Sequence, residues 1–396
     1  MTVSGVAAGA VVVGGDYRGL GIVRSLGRQG VPVRVVHGSD RLAVGSRYCI
    51  AAVHVPDGEP DRLIDTLLEL APGATSSERP VLFATSDETA WLVSRHHARL
   101  AERYRLTVPE WDVYSAAADK WRVHQAAAAI GLQAPLCWHP HGVAELGDLD
   151  IDDAAFPLIV KPTRREARNA LTTAKAWRAR DRRELVARYR AALDVLPPDQ
   201  LMLQEWIGGD NSHQLAVAAV CAAGEPRYVV AARRTRQYPR EVGRASCFVE
   251  TIEDPELVKD ATRLTTELGI DGLVEVEFKR DAEDGQPKLL DVNVRVWGWH
   301  SIGAPAGVDF AHAAYRAALG ERLEFRAGKV GVRWSRLAVD LPYAVRDVVT
   351  GRMRVRQLTD SLRPPLEGPV SARDDPVPAL LELPYLAAGL TRRRGR

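Results

Sequence analysis

The sequence predicts an α/β domain built on a parallel sheet, then an α+β region with antiparallel sheets, then a C-terminal extension. Three observations carry this. Residues 9–38, GAVVVGGDYRGLGIVRSLGRQGVPVRVVHG, read as strand, Gly-rich turn, helix and strand, a βαβ unit and so a parallel pair. Beyond residue 200, HQLAVAAVCAAGEPRYVVAARRTRQYP and LVEVEFKRDAEDGQPKLLDVNVRV each fold back through a polar turn as antiparallel hairpins. After about residue 330 the character changes again, with RPP and DDPVP. The expected boundaries are 1–115 for the first domain and 116–328 for the second, the latter split into subdomains of about 116–200 and 201–328. Residues 329–396 form an extension expected to be partly helical or flexible.

Composition narrows the classes. The chain has 396 residues, 46% hydrophobic and 26% charged, enough for two or three globular domains. Lys+Arg of 53 against Asp+Glu of 51 leaves a net charge of +2, so no overall field marks a nucleic-acid binder. Cys49, Cys137, Cys221 and Cys247 are scattered, which suits a reducing compartment and argues against a Cys-rich zinc site. The opening MTVSGVAAGAVVVGG is too short and uncharged for a signal peptide, and no run reaches the roughly 18 apolar residues of an integral membrane segment. The expected location is the cytoplasm.

In the first unit Ala10–Val13 compose a buried strand, Ile22–Arg28 carry helical spacing, and Val31–Val36 alternate as the second strand. Gly14, Gly15, Gly19 and Gly21 are suited to cradling a phosphate. No acidic residue closes the second strand to hold a ribose, which favours a structural or substrate-facing turn over a dinucleotide site. RLIDTLLELA reads as a helix, RPVLFATSDETA as a strand ending in polar residues, and AWLVSRHHARLAERY as a helix. Asp87 and Glu88 follow the carboxyl end of that strand, where open α/β sheets take ligands; helix capping by Ser86 or Asp87 is an equal alternative. AAADKWRVHQAAAAIGLQAP is a helix ending at Gly131, FPLIVKP a short buried strand, DRRELVARYRAAL an amphipathic helix, and LMLQEWIGGD a strand entering a Gly-Gly turn. The last five residues include four arginines; a solvated tail is the simpler reading, and docking to an acidic partner or membrane surface the alternative.

One strand stands out. In LLDVNVRVWG (289–298), Asp291, Asn293 and Arg295 share one face and Val292, Val294 and Val296 the other. In LVEVEFKRD, Glu275, Glu277 and Lys279 likewise oppose Val274, Val276 and Phe278. A hairpin centred near Asp284 sets Glu277 opposite Asp291, and the apolar pattern forbids an odd slip. Facing carboxylates repel unless cations intervene. Arg295 and Lys279 could supply the charge, and so could a divalent ion. Glu277, Asp291 and Asn293 offer oxygen alone, which suits Mg²⁺ held partly by water and nucleotide phosphates rather than a calcium cage. A surface salt-bridge ladder is the plainer alternative, in which Asn would be a poor member. Lys161, ending FPLIVKP, either meets a phosphate or snorkels to solvent. In LMLQEWIGGD, backbone groups at the strand end could pair with an adenine edge, Glu205 could accept from its amine, and Asp210 could take ribose hydroxyls.

Taken in order, DKWRVHQAAAAIGLQAP, FPLIVKP, LMLQEWIGGD and VEVEFKRD…LLDVNVR resemble the ATP-grasp superfamily in its carboxylate–amine ligase branch, with a carbamoyl-phosphate-synthase-like ATP-grasp domain, over roughly residues 10–325. The resemblance implies that Lys120 and Lys161 contact ATP phosphates, that Gln204, Glu205, Trp206 and Ile207 line the adenine pocket, and that Asp210 holds the ribose. It implies Mg²⁺ (or Mn²⁺) on Glu277, Asp291 and Asn293, with Arg295 against the transferred phosphate. RRTRQYP resembles a basic strand near the γ-phosphate and substrate, offering Arg234 and Arg236, of which Arg236 is preferred. Two departures stand: Asp291 where the family usually has Glu, and an arginine-rich loop TRREARNALTTAK in place of a glycine-rich one, from which Lys175 could reach the nucleotide. Small-molecule carboxylate and amine substrates are implied, meeting the first domain near Asp87 or Gly15. The expected reaction is ATP-dependent amide formation through an acyl phosphate, releasing ADP and phosphate. The alternatives are a bicarbonate-using carboxylase, a dinucleotide-dependent oxidoreductase working through the Gly-rich turn, and a non-catalytic nucleotide-binding protein. Oligomeric state is not legible, although dimers are frequent in the superfamily and a homodimer is compatible with it.

Overall fold

The computed structural model describes residues 8–71, 78–164, 169–210, 213–238 and 245–394. Its first sheet contains β1 (Ala10–Val13), β2 (Val33–His37), β3 (Cys49–His54), β4 (Val81–Ala84) and β5 (Arg105–Leu106), with helices α1 (Tyr17–Arg28), α2 (Pro60–Leu70), α3 (Asp87–Arg95) and α4 (His97–Ala101) between them. The order is β3-β2-β1-β4-β5 and every pairing is parallel. The inner strands are apolar throughout because helices cover both faces. Val11, Val13, Leu82 and Ala84 pack with Leu67 and Val93, while Ala10, Val12, Val35 and Phe83 pack with Leu20 and Leu26 of α1. The strand order reverses at β1, so the crevice at the carboxyl ends of β1 and β4 is a natural ligand position.

Helices α5 (Trp111–Ala118) and α6 (Lys120–Ala129) lead out of this sheet, and Asp119 caps α6 by accepting from the Trp121 and Arg122 amides. A small antiparallel sheet follows, with β6 (Cys137–Trp138), β7 (Leu158–Pro162), β8 (Trp177–Ala179) and β9 (Leu201–Glu205) in the order β6-β9-β7-β8. It is joined by α7 (Ala170–Ala174) and backed by α8 (Arg182–Leu193), whose Leu185 and Tyr189 pack with Leu158, Val160 and Leu203.

The large sheet has eight strands. They are β10 (Gln214–Ala222), β11 (Glu225–Tyr238), β12 (Ala245–Ile252), β13 (Gly272–Arg280), β14 (Pro287–Asn293), β15 (Arg326–Ala327), β16 (Arg333–Ser335) and β17 (Leu366–Glu367). Its main path runs β14-β13-β10-β11-β12-β16-β17, with β15 pairing β11. Two helices cover its faces: α9 (Pro255–Glu267) meets Leu215, Val217 and Ala219, and α10 (Phe310–Ala318) meets Ala216, Ala218 and Val220. The sheet thus runs past residue 328 into β16 and β17. Around them lie α11 (Leu337–Val349), α12 (Val355–Ser361) and α13 (Val377–Arg394). The last segment is clamped back onto α1, where buried Arg24 donates through Nε to Asp375 Oδ2 at 2.9 Å. Residues 165–168 of the arginine-rich loop, and the side chains of the arginine-rich terminus, lie outside the described residues.

Candidate active site

The pairing of β13 with β14 sets Glu277 opposite Asp291 and Glu275 opposite Asn293. The ladder shifts between Glu277 and Phe278, which pairs with Leu289, so Leu290 is the extra residue of a bulge. Val274, Val276, Phe278, Val292 and Val294 are all buried on the core side, at 3% exposure or less, and this fixes the acidic face outward. There Asn293 Nδ2 donates to Glu277 Oε1 at 2.9 Å and to Glu275 Oε2 at 3.2 Å. Cations hold the acids: Arg234 Nη1 is 2.7 Å from Glu277 Oε2, and Lys120 Nζ is 3.0 Å from Asp291 Oδ2. Arg295 pairs with Asp87 and donates through Nη2 to Asn293 Oδ1 at 3.2 Å. A ligand-sized cavity of about 630 Å³ opens over this face and reaches across to the carboxyl edge of β4.

The charges respond to burial and to each other. Burial and the nearby Glu277 charge push the Glu275 carboxyl up, while Trp299 Nε1 donates to it at 2.7 Å. Burial also acts to raise Glu277, but Arg234 and Lys175 more than offset it and hold that carboxyl below its usual value. Burial would raise Asp87; Arg295, Lys120 and Arg18 overcome it and bring Asp87 down to about 2. Lys161, 7% exposed and donating to Gln204 Oε1, is lowered to about 8 by burial and by the charge of Lys120. Lys175, at a positive φ of 71°, lines the cavity and is also lowered by burial, against the pull of Glu277.

The structure brings together Asp87, Lys120, Lys175, Arg234, Glu277, Asp291, Asn293 and Arg295 around one cavity. Lys161 lies one residue before Pro162, which lines it, and the end of β7 is tied to α6 by the Lys120 amide donating to Thr163 O at 2.7 Å. Gln204, Glu205, Trp206, Ile207 and Asp210 sit at the end of β9, outside the cavity lining. The Glu205 and Trp206 amides donate to Leu136 O (2.8 Å) and Pro157 O (3.2 Å), while Ile207 O accepts from Lys279 Nζ (2.9 Å). Arg236, preferred from sequence, is placed elsewhere: it pairs with buried Asp340, its Nε donating at 2.7 Å, and lies over the Phe248 ring. The reason is a register shift in the β11–β12 ladder between Arg233 and Arg236, which breaks the alternation that would otherwise set Arg234 and Arg236 alike.

Gly15 is also outside the cavity lining. A Cβ there would meet Asp40 O at 1.9 Å, and one on Gly14 would meet Thr85 Oγ1 at 1.9 Å, so the glycines serve close chain packing. The Asp16 carboxylate caps α1 by accepting from the Arg18 amide at 2.9 Å and the Gly19 amide at 3.3 Å. A carboxylate therefore already fills the helix terminus at which a dinucleotide phosphate would dock.

The sequence reading passed over Glu275 as a site residue, together with Arg18, Trp91, Trp111 and Tyr114. Glu275 was legible as the residue two before Glu277 on the same strand face. Trp111, Tyr114, Ser115 and Ala118 line the cavity at i, i+3, i+4 and i+7 of α5, a helical stripe that reads equally as core.

A divalent cation fits this donor set. Glu277, Asp291 and Asn293 present only oxygen ligands, and the two carboxylates face each other in register. Among the described residues no group of three acidic, His or Cys side chains is gathered as a closed metal site. The set is therefore partial and suited to a hard ion that takes its remaining ligands from water and phosphate. Lys120 and Arg234 now neutralise the acids, and a polyphosphate would compete for those same cations.

Comparison with known proteins agrees with this architecture. Residues 199–339 match the family described as ATP-grasp in the biosynthetic pathway with Ter operon. No curated protein matches the sequence. The fold is similar to that of an L-amino acid ligase from Bacillus licheniformis, with 18% identity, a TM-score of 0.58, and coverage of 81% of this chain and 76% of that one. It is similar to the ADP complex of N5-carboxyaminoimidazole ribonucleotide synthetase, with 13% identity, a TM-score of 0.63 and coverage of 91% and 88%. It is also similar to the biotin carboxylase domain of a 2-oxoglutarate carboxylase from Hydrogenobacter thermophilus, bound to MgADP and bicarbonate, with 16% identity, a TM-score of 0.62 and coverage of 82% and 73%. The acidic hairpin thus lies within the region that matches the ATP-grasp family model, and the parallel first sheet with the two antiparallel sheets shares the fold of these solved structures.

Proposed function

We propose that the chain is an ATP-dependent carboxylate–amine ligase that forms an amide through an acyl phosphate and releases ADP and phosphate. The supporting observation is the facing pair Glu277 and Asp291, with Asn293 beside them, ringed by Lys120, Lys175, Arg234 and Arg295 in one cavity. A carboxylate does not react with an amine unaided, because its leaving oxygen is too poor. Its oxygen attacks the γ-phosphorus of ATP, the bond to the β–γ bridging oxygen breaks, and ADP departs. An amine then attacks the acyl carbon, phosphate leaves, and the amine gives up a proton.

The protein's part is to position reactants and stabilise charge. Lys120 and Lys161 hold phosphate oxygens, with Lys175 closing from the loop side. Arg295 and Arg234 face the transferred group; Arg234 takes the role first given to Arg236. Gln204, Glu205, Trp206 and Ile207 border the adenine, and Asp210 the ribose. Magnesium or manganese, when held by Glu277, Asp291 and Asn293, supplies further positive charge to the phosphates. The donor's carboxylate enters beside Asp87 and Arg295, and the rest of the donor rests on Trp91, Trp111 and Tyr114.

The bicarbonate reading keeps support from the carboxylase fold relatives. An aromatic wall along a 630 Å³ cavity favours a larger acid. ADP and AMP release should be followed over a panel of carboxylates that includes bicarbonate, with hydroxylamine as a general amine, for wild type and Glu277→Gln. ADP release with hydroxamate formation, lost in the variant, supports the ligase. AMP release overturns the acyl phosphate, and ADP release with bicarbonate alone moves the assignment to carboxylation.

A further inference from the structure

We propose that the outer face of α11, α12 and α13 is a docking surface for an anionic lipid membrane. Fifteen large apolar side chains are exposed among the described residues, and nine of them fall between Leu337 and Leu383. Scattered singly, such residues need no explanation; gathered, they mark a contact surface. Leu337, Leu341, Val345 and Val349 recur every fourth residue along α11, exposed by 38%, 40%, 46% and 80%, while Asp340 and Ala344 are buried on its inner side. Val355 extends the row onto α12 at 64%. On α13, Val377, Leu380 and Leu383 recur every third residue at 48%, 75% and 66%, while Leu381 rests against Gly45. The helices that carry the rows are in contact: α11 packs on α12, and Arg336 Nε, just before α11, donates to the buried Glu382 Oε1 on α13 at 2.7 Å.

Charge identifies the occupant. Arg346, Arg352, Arg354, Arg356 and Arg363 are all exposed within residues 341–363, against only Asp347 and Asp360. This segment is more basic than the chain as a whole, whose net charge is +2. The sequence of α13 also ends in Arg392, Arg393 and Arg394. The apolar row of α11 and α12, flanked by these exposed arginines, matches the acyl boundary and headgroups of an anionic leaflet, and the row on α13 extends the apolar part. A second copy of this chain in a two-fold contact would bring one net-positive patch against the same net-positive patch. No helix among the described residues is long and apolar enough to cross a membrane, so this contact lies on the surface.

The test is co-sedimentation of the full chain with phosphatidylcholine vesicles, with or without phosphatidylglycerol, alongside analytical ultracentrifugation without lipid. The expected result is binding to the phosphatidylglycerol vesicles only. Arg352→Glu, Arg354→Glu and Arg356→Glu combined should weaken it on the order of 100-fold, since each basic residue near the surface contributes about 5-fold. Leu341→Ser, Val349→Ser and Leu380→Ser combined should also release the protein. Both variants change exposed side chains, and far-UV circular dichroism checks that they fold. Equal binding to neutral vesicles, or none to either, overturns the proposal. So does a concentration-dependent dimer abolished by the serine variant, which would make a second copy the occupant. The outcome is independent of the reaction proposed above.

Discussion

At the scale of the residue, burial decides which charges are available for work. Lys161 sits on an apolar strand beside another lysine, and both facts favour its neutral form. If its ammonium holds a phosphate, nucleotide affinity is fully present below pH of about 8. Above that it falls by up to about tenfold per unit as the proton leaves. Titration calorimetry with ADP from pH 7 to 10 checks this. Lys161→Arg, which stays charged, should flatten the profile. In the nucleotide-free chain the same group makes stability rise as pH climbs from about 8 towards 10.5, because the unfolded chain then holds a proton the folded chain has released. The neighbouring arginines separate by geometry: Arg234 is on Glu277 and Arg236 on Asp340. Arg234→Gln should lower kcat by about 10²–10³, as removal of a charge-stabilising donor does. Arg236→Gln should act on unfolding, by leaving buried Asp340 without its main counter-ion, while kcat holds. Steady-state kinetics beside urea denaturation separates the two.

At the scale of the element, α5 combines two tasks. It leads out of the first sheet, and its Trp111–Tyr114–Ser115–Ala118 stripe faces the cavity. The Trp111 ring lies edge-on to Trp91 at 5.8 Å, and Arg95 covers both rings at 5.3 and 5.4 Å. Arg95 is not part of the cavity lining. If the donor rests on this wall, Trp111→Ala should raise KM for bulky or aromatic acids by at least about tenfold, the worth of one well-buried ring contact. It should leave KM for ATP unchanged. Equal effects on both substrates would make the stripe structural. The β13–β14 hairpin shows how an element divides labour: its valines fix the register, and that register holds the acids together.

At the scale of the whole molecule, the C-terminal segment is stitched to the first sheet through one acid. Asp375, 1% exposed, accepts from Arg24 Nε at 2.9 Å, Ser46 Oγ at 2.7 Å and the Arg47 amide at 2.9 Å. Its neighbour Asp374 pairs with Arg28 at 2.8 Å where both side chains are more than 40% exposed. Asp375→Ala should therefore cost about 3–5 kcal/mol by stranding the buried Arg24 charge. Asp374→Ala should cost about 1 kcal/mol or less, since solvent screens that pair. Chemical denaturation of the two variants checks the contrast, and equal losses would show that burial does not set the value of this clamp.

The sequence by itself determined the local matters. Apolar runs marked the buried strands, the alternating valines set Glu277 opposite Asp291 (a pairing reached through the Leu290 bulge, since the register beside the turn is offset by one residue), and the βαβ rhythm named a parallel sheet. These follow from periods of two and 3.6 residues, which a single chain carries in its own pattern. Tertiary structure alone decided what depends on distant segments. It paired Arg295 with Asp87, 208 residues away, and sent Arg236 to Asp340, 104 residues away. It filled the space beside Gly15 with Asp40, and gathered three aromatic rings from α3 and α5 beside an acidic hairpin far along the chain. The irregular β11–β12 ladder is the sharpest case: one extra residue before Arg236 separates it from Arg234, a second shift follows between Arg236 and Gln237, and alternation counted along the sequence gives no sign of where either occurs. Contacts between remote segments depend on how sheets stack and cross, and no local period encodes that.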